Sequence, residues 1–210
     1  MSSRLTEIFE DEKLVDKIRK RLPYLFQLAE LESSRAGKIG MEVGSVREKI
    51  IVALLVYKFG EVNVETEIPI TEPEVDAKLF GESLSAKTIT GKSFSGVKLI
   101  WTVDAQKARE FQEGYYPHCD LLLVQINWND LGGFYYIPLE VQKKVFDKIG
   151  RDNYIKLPKA GTNPRGVEIT KEALSSAVGY KEVRSIEIDW RKTKIDFDPY
   201  KRWVDLWGEE

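Results

Sequence analysis

The hydrophobic periodicity of the chain changes from helical to alternating near residue 60, and this change constrains the fold more than any other feature. Apolar residues recur at helical spacing over residues 5–36, with a break predicted at Pro23, and again over residues 46–59. Beyond residue 60 the period becomes two, and Gly and Pro separate short segments. Helices followed by a run of strands predict an α/β fold, a mixed β-sheet flanked by helices.

The same criteria predict the remaining elements and their grouping into domains. Strands are expected over residues 62–70, 74–80, 83–90, 97–103, 120–128, 134–142 and 185–190, and helices over residues 104–112 and 170–178. A hairpin turn is predicted at Gly132 and Gly133. With 210 residues, the chain suits a helical N-terminal region (residues 1–40), which can form a subdomain, and a sheet-containing core (residues 41–210).

Composition excludes several classes of chemistry. Cys119 and His118 are the only cysteine and histidine, which excludes a disulfide framework, a cysteine-type zinc site and multi-histidine metal sites. His118 is predicted to be a structural residue at a strand end. The longest apolar run, residues 50–57, is far shorter than the about 20 residues of a membrane span, and residues 1–4 show no secretory leader. We therefore predict a cytoplasmic protein without membrane contact, whose chemistry rests on carboxylates, lysines, hydroxyls and hard metals.

The charge distribution permits a polyanionic partner although the net charge does not favour one. The formal charge is −2, which weighs against nucleic acid, but residues 143–171 contain eight basic residues and three acidic ones. Screening confines the relevant field to about 8–10 Å, so a local basic patch is sufficient to bind phosphates. Within this patch Thr162, Asn163 and Arg165 form either a plain turn or a set of donors for phosphate oxygens and base edges.

Three segments of the sequence can supply one acidic site. Side chains alternate across a strand, so pairing residues 74–80 with residues 83–90 would place Asp76 and Lys87 on the same sheet face. A helix packed on that face could add Glu48. Two carboxylates and a lysine at one point suit Mg²⁺ and the hydrolysis of a phosphodiester. The alternative for Glu48 is a capping box with Ser45.

A second pair of carboxylates offers a competing metal site. Asp120 opens an apolar strand, and Glu140 lies near the end of the strand predicted next. The alternative is that both residues mark the ends of a buried hairpin.

The order of these residues resembles a known nuclease superfamily. A helical acid, an aspartate on a strand and then Ser85-Ala86-Lys87 resemble the PD-(D/E)XK nucleases, with Ser85 at the position where an acid is usual. More specifically, the chain resembles the ThaI restriction endonuclease family. That pattern requires Met41, then Glu48 seven residues later, Asp76 a further 28 residues on and Lys87 a further 11 on.

This resemblance implies a restriction-endonuclease-like core and a specific activity. The implied enzyme is a Mg²⁺-dependent homodimer that cuts double-stranded DNA at the palindrome CGCG and leaves blunt ends. Glu48, Asp76 and the Ala86 carbonyl would bind the metal, and Lys87 would activate the water. Met41, otherwise a hydrophobe under the subdomain, would intercalate between base pairs at a deformable CpG step.

Other functions remain open from the sequence. The first alternative is a repair or junction nuclease of the same superfamily, and the second is a non-catalytic DNA-binding module that retains the fold. A small-molecule enzyme is least favoured because no phosphate-binding Gly loop is visible. Trp203 and Trp207 are predicted to pack on the core or on a second subunit.

Overall fold

A computed structural model describes residues 4–35, 38–40, 42–69, 71–72, 74–102, 104–158 and 166–209. Its helices are α1 Glu7–Glu10, α2 Glu12–Glu32, α3 Val43–Phe59, α4 Ala105–Gly114, α5 Leu139–Ile149, α6 Arg151–Tyr154, α7 Lys171–Val178 and α8 Lys201–Trp207. Its strands are β1 Ser34–Arg35, β2 Lys38–Ile39, β3 Val64–Glu65, β4 Ala77–Leu79, β5 Glu82–Thr90, β6 Val97–Trp101, β7 Asp120–Ile126, β8 Leu131–Ile137, β9 Ile155–Lys156, β10 Gly166–Ile169 and β11 Arg184–Asp189. Short 3₁₀ turns cover Arg4–Thr6 and Glu61–Asn63.

A six-stranded mixed sheet forms the centre of the protein, which confirms the predicted fold class. Its strand order is β11-β8-β7-β5-β4-β3. The strands β6-β10-β9 and β1-β2 form two separate small sheets. β5 and β7 run parallel, whereas the other neighbours in the large sheet are antiparallel. Parallel neighbours need a long crossover, and here the crossover carries β6 and α4.

Each face of the large sheet has its own hydrophobic core because side chains alternate along the strands. On β7, Leu122 and Val124 point into the core shared with α1, α2 and α3, whereas Leu121 and Leu123 point into the other. That second core is closed by β6, β9, β10, α4, α5 and α7. The N-terminal helices therefore share a core with the sheet. The division of the chain at residue 40 stays a prediction.

The break predicted at Pro23 is wrong, because α2 continues through this residue. A proline inside a helix costs about 3 kcal/mol. Leu22 and Phe26 are buried on either side of Pro23, and burial of each such side chain contributes about 1.5–3 kcal/mol. The apolar face of the helix therefore outweighs the lost backbone hydrogen bond.

The hairpin turn predicted at Gly132 and Gly133 is also wrong. Both glycines lie within β8, and the turn precedes them, where Asn129 has a positive φ of 70°. A Cβ atom at Gly132 would stand 2.3 Å from the Gln125 carbonyl oxygen and 2.6 Å from Trp190 Nε1. Close packing within the sheet, rather than turn geometry, therefore requires this glycine.

Several predicted strands are shorter in the structure, and one of them changes into a helix. Of the strand predicted over residues 62–70, the described residues 62–69 contain strand at Val64–Glu65 alone, and Pro69 cannot donate to a ladder. The strand predicted over residues 134–142 ends at Ile137, and α5 begins at Leu139 after Pro138. The strands β9 and β10 were not predicted. Among the described residues, no helix has both the length and the apolar character needed to cross a bilayer.

Candidate active site

The β4–β5 hairpin places Asp76 beside Lys87. Its turn uses Phe80 and Gly81, both with positive φ, and the Asp76 amide extends the pairing by donating to the Leu84 carbonyl (2.9 Å). Beyond that bond, the Asp76 carboxylate, rather than a backbone carbonyl, accepts the next amide of β5. Its Oδ2 atom accepts hydrogen bonds from the Ser85 hydroxyl (3.1 Å), the Ala86 amide (2.7 Å) and Lys87 Nζ (2.8 Å).

Helix α3 brings Glu48 to the same point. Ile51 and Leu55 on its buried face pack into the core below the sheet, and Gly60, with a φ of 85°, ends the helix. Glu48 Oε1 lies 3.8 Å from Lys87 Nζ. The helix begins at Val43 without a side-chain cap, so the capping box proposed for Ser45 and Glu48 is wrong.

The surroundings of Glu48 and Lys87 shift the pKa values of both side chains. Burial, and secondarily the charge of Asp76, raise the pKa of Glu48 to about 7, although Lys87 opposes the shift. Burial lowers the pKa of Lys87, but the charges of Asp76 and Glu48 and the hydrogen bond to Asp76 outweigh it, so the pKa stands above its ordinary value. Lys87 is therefore an ammonium at neutral pH, whereas Glu48 exchanges its proton near that pH.

Open space adjoins these side chains on two sides. A cavity of about 440 Å³ is lined by the three residues together with Lys98 and Trp101. A second cavity of about 530 Å³ meets it at Glu48 and Asp76. Trp101 is exposed, and Lys98 Nζ lies 3.7 Å from the centre of its ring. The carboxylates are therefore accessible to a ligand larger than a water molecule.

The donor set suits a hard divalent cation. Among the described residues, Asp76 Oδ1 accepts no hydrogen bond, so this oxygen is available as a ligand. In the described part of the chain, the ion-pair partner of Glu48 is the Lys87 ammonium, at 3.8 Å. The amide and carbonyl of one strand residue point to the same side, so the Ala86 carbonyl projects towards Asp76 as its amide does. Carboxylate and carbonyl oxygens are the ligands that Mg²⁺ takes.

The two carboxylates of the competing pair lie on different elements and have separate partners. The Asp120 carboxylate accepts hydrogen bonds from the Tyr136 hydroxyl (3.0 Å) and the Leu139 amide (2.7 Å), where α5 begins. Glu140 lies on α5 rather than at a strand end, and its side chain is 75% exposed beside Lys143. The prediction that Glu140 ends a strand is therefore wrong, and Asp120 serves the start of the helix.

Four predicted DNA-binding residues lie outside the described residues. These are Met41, Thr162, Asn163 and Arg165. The neighbouring segments are described: α3 begins at Val43, and β10 begins at Gly166, which pairs with Trp101 of β6.

A cluster beside the site was missed by the sequence analysis. Glu74 is buried two residues before Asp76, and its Oε1 atom accepts a hydrogen bond from the Tyr115 hydroxyl (3.0 Å). Its Oε2 atom lies 3.5 Å from His118 Nδ1, and burial raises the pKa of this carboxylate. Residues 74–76 precede β4, so strand alternation carried no signal for Glu74.

Comparison with known proteins identifies the family of this chain. The family model described as "Restriction endonuclease ThaI" matches residues 8–209. The chain belongs to the ThaI restriction endonuclease family. The match spans Glu48, Asp76 and Lys87, and it confirms the family predicted from the spacing of these residues.

A solved structure is similar to this ThaI-family chain over nearly its whole length. It is described as a restriction endonuclease in complex with substrate DNA, is 63% identical and has a TM-score of 0.92. The alignment covers 99% of this chain and 100% of that one. The comparison with curated proteins gives no match.

Proposed function

We propose that this ThaI-family chain is a type II restriction endonuclease that hydrolyses phosphodiester bonds of double-stranded DNA at Glu48, Asp76 and Lys87. The observation that carries the proposal is that these side chains converge on one point in an open cleft. Glu48 comes from α3, Asp76 from the residue just before β4, and Lys87 from β5. The similar structure, a restriction endonuclease with substrate DNA, supports DNA as the substrate.

Glu48, Asp76 and the Ala86 carbonyl would hold Mg²⁺ in this proposal. The cation, when bound, supplies a Lewis acid that acidifies water and neutralises charge on the phosphate. Asp76 is already oriented by three hydrogen bonds, so its Oδ1 atom needs no rearrangement. Ser85 replaces the usual strand acid of the superfamily with a donor to Asp76, so Glu48 would supply the second carboxylate.

Lys87 would act as a charged donor. Its pKa stands above the ordinary value, so the ammonium retains its proton at neutral pH. The group would hold the attacking water in line and stabilise negative charge that develops on the phosphate oxygens. Its hydrogen bond to Asp76 fixes the position of Nζ within the cleft.

The DNA would run across the side of the cleft formed by β6 and β10. Lys98 and Trp101 present a cation and an exposed aromatic face there. Thr162, Asn163 and Arg165, which are predicted to contact DNA, come just before Gly166 in the sequence. Gly166 pairs with Trp101. A phosphate contact by Arg165 predicts that Arg165→Ala weakens DNA binding and reduces the slope of log affinity against log salt by about 1.

Intercalation by Met41 belongs to the same proposal. The residue lies seven positions before Glu48, so an inserted side chain would fix the DNA relative to the catalytic helix. The resemblance supplies the recognised site, CGCG with blunt ends, and CpG is a step that unstacks readily. A Met41→Ala variant is expected to lose the fluorescence increase of a base analogue placed at this step, while Asp76→Asn retains it.

A palindromic site is matched by a two-fold homodimer, which we also propose. Helix α8 provides support, because Trp203, Val204 and Trp207 are exposed there and Trp207 is 91% exposed. Packing of both tryptophans on the chain's own core is thus wrong. A Trp203→Ser/Trp207→Ser variant is expected to sediment as a monomer, whereas a wild-type monomer at micromolar concentration would contradict the proposed dimer.

The decisive experiment is digestion of DNA of known sequence with mapped fragment ends. With Mg²⁺, wild type is expected to give discrete fragments ending at the centre of CGCG. Asp76→Ala and Lys87→Ala are expected to give none, although both still bind a CGCG duplex in Ca²⁺. Matched controls are Lys78→Ala, a lysine on β4 paired with Glu72, and Glu140→Gln, an exposed carboxylate.

Each other outcome selects a different function. Undiminished cutting by both Asp76→Ala and Lys87→Ala contradicts the assigned site. Cuts that follow branch points or lesions instead of a fixed sequence identify a repair or junction nuclease. DNA binding by wild type without any fragments identifies a non-catalytic DNA-binding module.

A further inference from the structure

A buried carboxylate oxygen beside the candidate active site lacks a hydrogen-bond partner. Glu74 is 3% exposed, and its Oε2 atom accepts no hydrogen bond from the described residues. Burying a polar oxygen without a hydrogen bond costs free energy, and a bound cation would offset that cost. The other oxygen, Oε1, is held by the Tyr115 hydroxyl, which directs Oε2 away from Tyr115.

Two further metal-ligand types meet at this oxygen. His118 Nδ1 lies 3.5 Å from Oε2, and the Cys119 thiol lies close by, so that the three ligand atoms are all within 4.8 Å of one another. They come from two segments, the approach to β4 and the residues just before β7. Cys119 is buried, whereas the His118 side chain is 52% exposed, so the cluster is enclosed by protein on one side and open to water on the other.

We propose that Glu74, His118 and Cys119 form a second cation site, selective for a borderline ion such as Zn²⁺. Sulfur, imidazole and carboxylate together are ligands of Zn²⁺, whereas Mg²⁺ takes oxygen ligands. Zinc bonds of about 2.0–2.3 Å place tetrahedral ligands about 3.3–3.8 Å apart, so ligand atoms that lie within 4.8 Å of one another need to close by at most about 1–1.5 Å. The exposed His118 ring can make that movement, and a water molecule completes the coordination on the open side.

The position of the cluster indicates a role in holding the active site together. Glu74 is two residues from Asp76, and β7, which begins directly after Cys119, pairs with the strand that carries Lys87. A bound ion would therefore link the segment that presents Asp76 to the strand beside Lys87. The Tyr115 hydroxyl already provides the supporting hydrogen bond that metal-binding carboxylates usually have. The observations that support this site, the ligand geometry and the unpaired Glu74 oxygen, do not depend on the proposed nuclease activity.

Cobalt is the probe, because Cys119 is the only thiol in the chain. Co²⁺ bound to a thiolate gives a charge-transfer band in the near ultraviolet, and only Cys119 can produce it. Full-length, metal-stripped protein titrated with Co²⁺ is expected to show this band at one ion per chain, and added Zn²⁺ is expected to abolish it. Asp76→Asn is expected to keep the band, which separates this site from the proposed Mg²⁺ site.

Variants assign the ligands individually. Cys119→Ser is expected to lose the band, and His118→Asn and Glu74→Gln to weaken Co²⁺ binding at least tenfold. Zn²⁺ is expected to raise the melting temperature of wild type but not of His118→Asn, whose exposed position leaves folding intact. Glu140→Gln is the matched control. Absence of the band in folded wild type, or unchanged Co²⁺ affinity in His118→Asn, would overturn the proposal.

Discussion

One side chain, Asp76, both continues the pairing of β5 and presents an oxygen to the cleft. Its Oδ2 atom occupies the place of a strand carbonyl by accepting the Ala86 amide, and the Ser85 and Lys87 side chains fix it from both sides of that amide. The close approach of Asp76 and Lys87 could be predicted because alternation in a tight hairpin leaves few arrangements. Glu48 needed the family spacing as well, since nothing in its helix specifies which strand it faces.

Loss of one of the three donors to Asp76 is expected to weaken cleavage without abolishing it. Ser85→Ala removes a hydroxyl hydrogen bond, whose net contribution is about 0.5–1.5 kcal/mol, while the Ala86 amide and Lys87 remain. The cleavage rate constant should fall about three- to tenfold. Single-turnover digestion at saturating Mg²⁺ measures it. A loss as complete as that of Asp76→Ala would mean that Ser85 itself contacts the cation or the DNA.

The protonation of Glu48 predicts a pH dependence of stability in the absence of metal. Its pKa is about 7 in the folded protein against 4.5 ordinarily, so the folded state binds this proton more tightly than the unfolded state. Its contribution to stability is thus present below pH 4.5 and is lost as the pH rises to 7. The free energy of unfolding of Glu48→Gln, relative to that of wild type, should therefore rise by about 1–3 kcal/mol between pH 4.5 and pH 7.

Urea unfolding in EDTA at several pH values measures this difference. Glu140→Gln, which changes an exposed carboxylate, serves as the control and should follow the wild-type profile. If Glu48→Gln and wild type run parallel from pH 4.5 to pH 7.5, the Glu48 carboxylate is not destabilised by its surroundings.

Among the secondary-structure elements, the sequence predicted whether a segment is helix or strand better than it predicted where the segment begins and ends. The helix α7 and its Thr170 cap were predicted because capping is local chemistry, and the structure has the Thr170 hydroxyl accepting the Ala173 amide (3.1 Å). The turn before β8 was misplaced because Gly132 is required by Trp190, a residue from a strand end far along the chain. Helix α5 was missed because its first amide, that of Leu139, donates a hydrogen bond to a residue far away in the sequence. The acceptor is the carboxylate of Asp120, 19 residues earlier.

Crowding at Gly132 gives a test of this explanation. Gly132→Ala would bring a Cβ atom against the backbone of β7 and the Trp190 ring, and we expect a loss of about 2–4 kcal/mol in the free energy of unfolding. Gly114→Ala is the matched control, because open space surrounds that position at the end of α4. Chemical denaturation of both variants measures the difference. Equal, small effects of the two substitutions would contradict the explanation by crowding.

Across the whole molecule, one buried carboxylate joins distant parts of the chain. Glu30 on α2 forms an ion pair with Arg47 on α3, accepts the indole N–H of Trp128 (2.7 Å) and pairs with Lys192 (2.8 Å). Arg47 also donates to the Thr90 hydroxyl at the end of β5 (3.2 Å). Helix α2 is therefore tied to α3, the sheet and the C-terminal segment.

Neutralising this carboxylate is expected to destabilise the entire fold. Glu30→Gln leaves the buried Arg47 guanidinium without its counter-charge, and breaking such a pair costs about 3–5 kcal/mol. Glu182→Gln, which removes a surface pair with Lys144, should cost less than about 1 kcal/mol. Melting curves of both variants give the comparison. A Glu30→Gln protein as stable as Glu182→Gln would show that the buried pair contributes little.

The parallel pairing of β5 with β7 determines when the proposed active site can form during synthesis of the chain. Glu48, Asp76 and Lys87 have all been synthesised once the ribosome passes residue 87, yet an isolated hairpin such as β4–β5 is at best marginally stable in water. The strand that secures it, Asp120–Ile126, emerges only after β6 and α4. We therefore expect that a nascent or prematurely terminated chain carries all three proposed catalytic side chains before the sheet that positions them has formed, and that it does not yet cleave DNA.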